Sequence, residues 1–243
     1  ANLSGLTILN EQYGLVTGDG IRRIDLKSLN NVRIKNERLL CFYNSIIYNG
    51  KVLSNDTYKD ESKVKYYDVN ELIAAKEGEA PAVTELDIIQ KQKINFVLAK
   101  DGNVYTLESA DNGCNIVKIK NDFTLEKVFA NFQPAKGPYH SSPTIGMVAS
   151  ETENIIYLVS TDGAIYKYIL GDSDSLKAPF IAAESGVSIT APLQLNQQSG
   201  ELYVTYTEER KDESKIVVYS KDGKVLHTVD CGESVPSQIL FNN

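Results

Sequence analysis

The chain contains no tryptophan, one methionine and two histidines in 243 residues. Its three cysteines, Cys41, Cys114 and Cys231, lie far apart, and no Cys-x-x-Cys occurs. Thioredoxin-like redox chemistry and the usual zinc spacings are therefore absent. Strand or buried thiols are expected, with a single Cys–Cys bridge left open. No apolar run approaches the roughly 20 residues that a membrane helix needs. Basic charge is scarce as well: 25 Lys and Arg against 32 Asp and Glu give a net charge of −7. Phosphate binding requires clustered Lys and Arg, so this balance argues against nucleic acid and against a basic membrane-surface patch. The first residues are Ala1-Asn2-Leu3-Ser4, without Met. A removed export leader is the expectation.

Helical periodicity is nearly missing. One candidate, Val69 to Gly78, has helix formers and a closing glycine and reads as a short loop insertion. The rest is short runs rich in Val, Ile, Tyr and Thr, separated by Asp-Gly, Asn-Gly and Ser-Gly. These are strands and turns. Asp19-Gly20, Asp101-Gly102, Asp162-Gly163 and Asp222-Gly223 each follow an apolar run. Each predicts a hairpin, because Gly accepts the positive φ that a tight turn needs.

The runs repeat. "HSSPTIGMVASETENIIYLVSTDGAIYKYIL" (140–170) reads strand, turn, strand, turn, strand. "SITAPLQLNQQSGELYVTYTEERKDESKIVVYSKDGKVLHTV" (188–229) has the same order with a longer second turn. Segments 95–129 and 38–69 are further copies, and 5–26 is a shorter one. The pentapeptide KDESK occurs at 59–63 and again at 211–215, each time before a strand-like run. Both copies are expected between the second and third strands of a four-stranded unit, as charged, solvated hairpin tips.

Repeats of about 50 residues with four strands each are propeller blades. The expected fold is all-β: a single β-propeller domain over 1–243, with about five four-stranded blades. Inner strands are expected near 5–9, 38–44, 93–99, 143–149 and 188–195. The run 235–242 reads as an extra inner strand that closes the ring or opens a sixth blade, so six or more blades is the alternative count. A third reading makes the chain one piece of a longer propeller.

Ser141-Ser142-Pro143, Ile156-Tyr157-Leu158-Val159, Asp162-Gly163, Ile165-Tyr166 and Asp222-Gly223-Lys224-Val225-Leu226 resemble the blade of the quinoprotein-like (PQQ-like repeat) β-propellers. The composition, with much Asn, Lys and Tyr, is also similar to exported bacterial propellers. Blades of that family dock on one another through a Trp, and its enzymes stack their quinone on a Trp. This chain has none. The resemblance therefore implies a fold and a periplasmic or cell-surface home, with no cofactor and no catalytic residues carried over.

Tyr139 and His140 precede an inner strand, where propeller loops meet the channel, and are the ligand-binding candidates; the plain alternative is a loop histidine bonded to backbone. His227 is expected on an outer strand facing solvent. A Ser-His-Asp triad is spatial, so spacing does not exclude one, but no Gly-x-Ser-x-Gly supports it. Asp172 and Asp174 alternate after Gly171 as in a calcium loop, without the Gly and Glu of the full EF-hand pattern. Most strand tyrosines are expected to pack blade on blade. The expected function is a non-catalytic binding or scaffold propeller that recognises a protein or glycan partner outside the cytoplasm. The alternative is a glycoside hydrolase-like enzyme with paired carboxylates in the central channel.

Overall fold

Short runs rich in β-branched and aromatic residues, broken by turn residues, commit a chain to antiparallel strands. A computed structural model describes residues 5–17, 21–35, 45–55, 62–79, 81–90, 96–134, 146–208, 213–236, 239 and 241, and nearly every element is such a strand. The strands fall into two compact units, 1–96 and 97–243.

In the first unit, β1 (Gly5–Ile8), β2 (Tyr13–Thr17), β3 (Ile21–Asp25) and β4 (Asn31–Lys35) pair in that order. The expectation of a shortened first repeat ending near residue 26 is thus corrected. The turn into β4 contains no glycine: the Asp25 carboxylate accepts the Lys27 and Ser28 N–H groups at 3.0 and 2.8 Å, and Leu29 takes a φ of 59°. The second sheet is β5 (Ile46–Tyr48), β6 (Lys51–Asn55), β7 (Ser62–Asp68) and β8 (Val83–Gln90). Asn49-Gly50 closes its first hairpin with φ values of 46° and 72°, the two positive angles of a type I′ turn.

Helix α1 (Val69–Ala74) interrupts the step from β7 to β8. Asp68 caps it, accepting from the Asn70 and Glu71 N–H groups at 2.8 and 3.1 Å. The helix stops before the expected Gly78, which lies beyond its end with a φ of 78°. Leu72 and Ala75 join Leu9, Leu15, Ile21, Ile34, Val52 and Tyr67 in one core. The insertion is therefore part of the interior. Its C-terminal carbonyls lack helical partners. Arg23 of β3 donates to those of Leu72, Ile73 and Ala75.

The second unit holds three sheets. The first is β9 (Val97–Leu98), β10 (Val104–Ala110), β11 (Gly113–Ile119) and β12 (Leu125–Phe132). The next has only three strands, β13 (Met147–Ala149), β14 (Ile155–Val159) and β15 (Ile165–Ile169). This departs from the four expected. After Gly171 (φ 87°) the chain turns through the 3₁₀ segment Ser173–Leu176, and it meets β15 only in isolated bridges, Asp172 with Ile169 and Ile181 with Ile165. Pro179, with no N–H to donate, lies in that return. In the last sheet β16 (Val187–Ile189) and β17 (Gln194–Leu195) both pair β18 (Leu202–Glu208), followed by β19 (Ser214–Tyr219) and β20 (Val225–Gly232). The inner strand expected at 188–195 is split, with Pro192 in the gap.

Residues 101–102, 162–163 and 222–223 close hairpins as expected, with glycine φ values of 74°, 84° and 77°. They join the first and second strands of the third sheet, the second and third of the fourth, and the third and fourth of the fifth. Asp-Gly therefore marks a hairpin here and not a fixed place in the repeat. The ends of the two KDESK copies lie where expected, with Ser62 opening β7 and Ser214 opening β19. Asp19-Gly20, and the inner strand expected at 38–44, lie outside the described residues.

The fourth sheet buries both faces. Ile155, Tyr157 and Val159 of β14 share a core with Leu195, Leu202, Val204 and Tyr206 of the fifth sheet. On the other side Tyr166 and Tyr168 meet Phe132 and Tyr105 of the third sheet edge-on, at 5.8 and 6.5 Å. Among the described residues no helix is long and apolar enough to cross a membrane.

Candidate functional site

Charged side chains of the second unit gather at hairpin ends. Asp101 accepts from the Asn103 N–H at 3.1 Å and the Tyr105 hydroxyl at 2.9 Å, and pairs with Lys118 at 2.9 Å. Burial pushes its carboxyl up, but these donors together outweigh burial and hold it below its ordinary value. Burial, with Asp101 as acceptor, drives the Tyr105 phenol far up, so it stays a neutral donor. Glu153 pairs with Lys221 at 2.6 Å, and that bond lowers its pKa. Glu126 pairs with Lys120 at 2.9 Å, again downward. Asp162 accepts from the Ser160 hydroxyl and the Ala164 N–H, also downward.

Every carboxyl among the described residues whose pKa is displaced moves down. A glycosidase acid needs one held up. The displaced carboxylates are instead bonded to lysines, hydroxyls, a glutamine and turn amides. Gln197 is another tie, accepting from the Glu151 N–H at 2.8 Å and donating to the Ala149 carbonyl at 3.0 Å, so that the fifth sheet's first hairpin is bound to the fourth's.

Tyr139 and His140 lie outside the described residues. On one side of their segment Pro134 bridges Ser160, and on the other Met147 opens β13. Asp172 caps the 3₁₀ segment, accepting from the Asp174 N–H at 3.0 Å, while Asp174 pairs with Lys177 at 2.8 Å. No group of three or more His, Cys, Asp and Glu side chains among the described residues could hold a metal ion. His227 is exposed on β20, opposite Val218. Cys114 and Cys231 carry free thiols, and Cys41 lies outside the described residues.

Two features carry no signal in the sequence, and a third has one. A cavity of about 440 Å³ beside α1 is lined by Glu71, Ala74, Ala75, Glu79, Pro81 and Ala82. A hydroxyl chain runs from Thr190 through Thr207 to Ser214, at 2.8 and 3.0 Å. The C-terminal run returns to the fifth sheet, where the Ile239 N–H donates to Gln194 at 2.7 Å and Phe241 meets Tyr203 edge-on at 5.0 Å. The last is the run 235–242 expected as an extra inner or closing strand, of which Ile239 and Phe241 lie against the fifth sheet.

The strand arrangement is similar to that of solved β-propellers. TolB from Acinetobacter baumannii matches with a TM-score of 0.58 and 9% identity over 96% of this chain and 55% of its own. The Cps50 (Swd1) β-propeller domain of Myceliophteria thermophila gives 0.55 and 12%, over 97% of this chain and 75% of that one. A puromycin hydrolase gives 0.62 and 12%, over 98% and 38%. The chain thus spans about half of TolB and well under half of the hydrolase. At such identities the likeness shows the fold, a β-propeller, and nothing further. No curated protein matches the sequence. Across residues 4–242 the sequence matches the family described as "Domain of unknown function (DUF5074)", and the chain belongs to that family.

Proposed function

We propose that the five sheets are blades of one propeller over 1–243, PQQ-like in its repeat, with the run 235–242 closing it. We further propose that it is a non-catalytic binding or scaffold protein outside the cytoplasm, recognising a protein or glycan partner through the segment that carries Tyr139 and His140. The observation behind this reading is the employment of the charged side chains. The displaced carboxylates are all lowered by lysines, hydroxyls or amides that fix turns and join sheets. Side chains so engaged support the scaffold reading.

The test is a thermal-shift screen of the whole chain against saccharides and short peptides, with calcium added because of Asp172 and Asp174. A ligand at about 100 times its Kd stabilises the fold by about 2.7 kcal/mol. A shift with one class, abolished in Tyr139→Ala/His140→Ala, supports the reading. No shift, together with no partner in a pull-down, sinks it.

A further inference from the structure

The outer strands of the sheets are not alike. β8 exposes Glu85 and Asp87, and β12 exposes Glu126 and Lys127. Charge on an edge strand makes the addition of another strand costly. β20 is guarded less, its one charged residue being Asp230 near its end. It runs for eight residues without proline, and only Cys231 among them is partly covered. No residue from Val225 to Val229 is charged, and Val225, Leu226 and Val229 are 59%, 43% and 52% exposed. Among the described residues no strand pairs its outer edge.

The charges that do flank it are sorted by sign. Lys224 precedes the strand, while Asp230 and Glu233 stand at its far end, all three exposed. Lys215, the cross-strand neighbour of Asp230, turns its ammonium to Glu184 at 3.1 Å. A strand laid antiparallel on β20 therefore meets a positive start and a negative finish, and β20 itself carries that same order. Parallel addition would set like charges side by side.

We propose that a second copy of this chain adds edge to edge at β20, antiparallel, about a two-fold axis at Val229. In this register Val229 meets its counterpart, Thr228 lies opposite Asp230, and Lys224 comes beside Glu233 of the other copy. A two-fold contact is self-complementary, so each pairing occurs twice.

Sedimentation velocity of the whole chain over a range of concentrations tests this. The expected result is a dimer that Val229→Lys converts to a monomer with an unchanged circular dichroism spectrum, since the side chain is exposed and the axis would set two ammonium groups together. Lys224→Glu should weaken the dimer by about tenfold at low salt, an exposed pair being lost twice, and adding Glu233→Lys should restore it. A wild-type chain that stays monomeric, including one that binds an extended peptide instead, overturns the proposal. So does a dimer that Val229→Lys and Lys224→Glu leave intact.

Discussion

The second and fifth sheets use the same pentapeptide before their third strands, yet they leave those strands in opposite ways. In the fifth, β19 passes to β20 through Lys221-Asp222-Gly223, a turn held by the Ser220 hydroxyl, which accepts from the Asp222 and Lys224 N–H groups at 3.3 and 3.2 Å. In the second, β7 runs into α1 and a further stretch before β8 begins. One connection is minimal and the other is an insertion, and the strand order is the same. A sheet of this kind tolerates length between strands provided that the added backbone and side chains find partners. Leu72 supplies the burial, Asp68 the N-cap and Arg23 the acceptors' partner at the other end of the helix.

The sharpest break in this comparison is Leu72→Ala. Leu72 is fully buried in the core of the first unit. Its truncation should cost about 3 kcal/mol, the usual range for a buried leucine whose site collapses only in part. The fifth sheet's turn has no residue to lose in this way. With no tryptophan to report, urea unfolding is best followed by circular dichroism. A loss well under that figure would mean that the insertion is an appendage. Arg23→Met comes next, at about 2 kcal/mol, because a charged donor to three helix-end carbonyls is replaced by an apolar stem. The same titration reads it, and a silent Arg23→Met would leave the helix end to water.

How much of this was legible depended on which atoms encode each feature. The Asp-Gly hairpins at 101–102, 162–163 and 222–223 were, since glycine itself carries the left-handed φ. The turn at Leu29 and the one at Phe123 (φ 64°) were not, because a bulky residue sits where glycine is expected. There the code lies in an aspartate side chain, Asp25 in one case and Asp122, bonded to the Thr124 N–H, in the other. The missing strand of the fourth sheet was announced only by Pro179, which also suits an ordinary loop. Ties such as Lys221 to Glu153 join residues 68 apart and exist only once the sheets are stacked. Tyr139 and His140 stand out in the sequence by their place before a strand, which is a matter of position and not of partners.

The fifth sheet's turn supplies the third prediction. Gly223 has a φ of 77°, and a Cβ there would lie 3.2 Å from the Phe180 carbonyl and 3.3 Å from its ring. Gly223→Ala should therefore cost about 1.5 kcal/mol, the left-handed penalty with some crowding added. Gly78, at the same kind of φ in the second sheet's insertion, has open space around it, so Gly78→Ala should cost less. Equal losses would remove Phe180 from the account.

The smallest effect separates the two connections by pH. Asp68 accepts from Lys51 at 2.7 Å and from two helix amides, and the lysine bond is the main reason its pKa is lowered. A carboxyl lowered in the folded state contributes stability above its unfolded value. That contribution is lost as pH falls through the folded one. Asn keeps the cap but cannot titrate. Asp68→Asn should thus be the less stable protein near neutral pH, by about 1 kcal/mol or less for a half-buried surface pair, and should converge with the wild type in acid. Ser220→Ala removes hydrogen bonds that carry no charge, so it should lower the whole stability curve without changing its acid slope. If Asp68→Asn keeps the wild-type slope, the Lys51–Asp68 pair is not what holds the start of the helix.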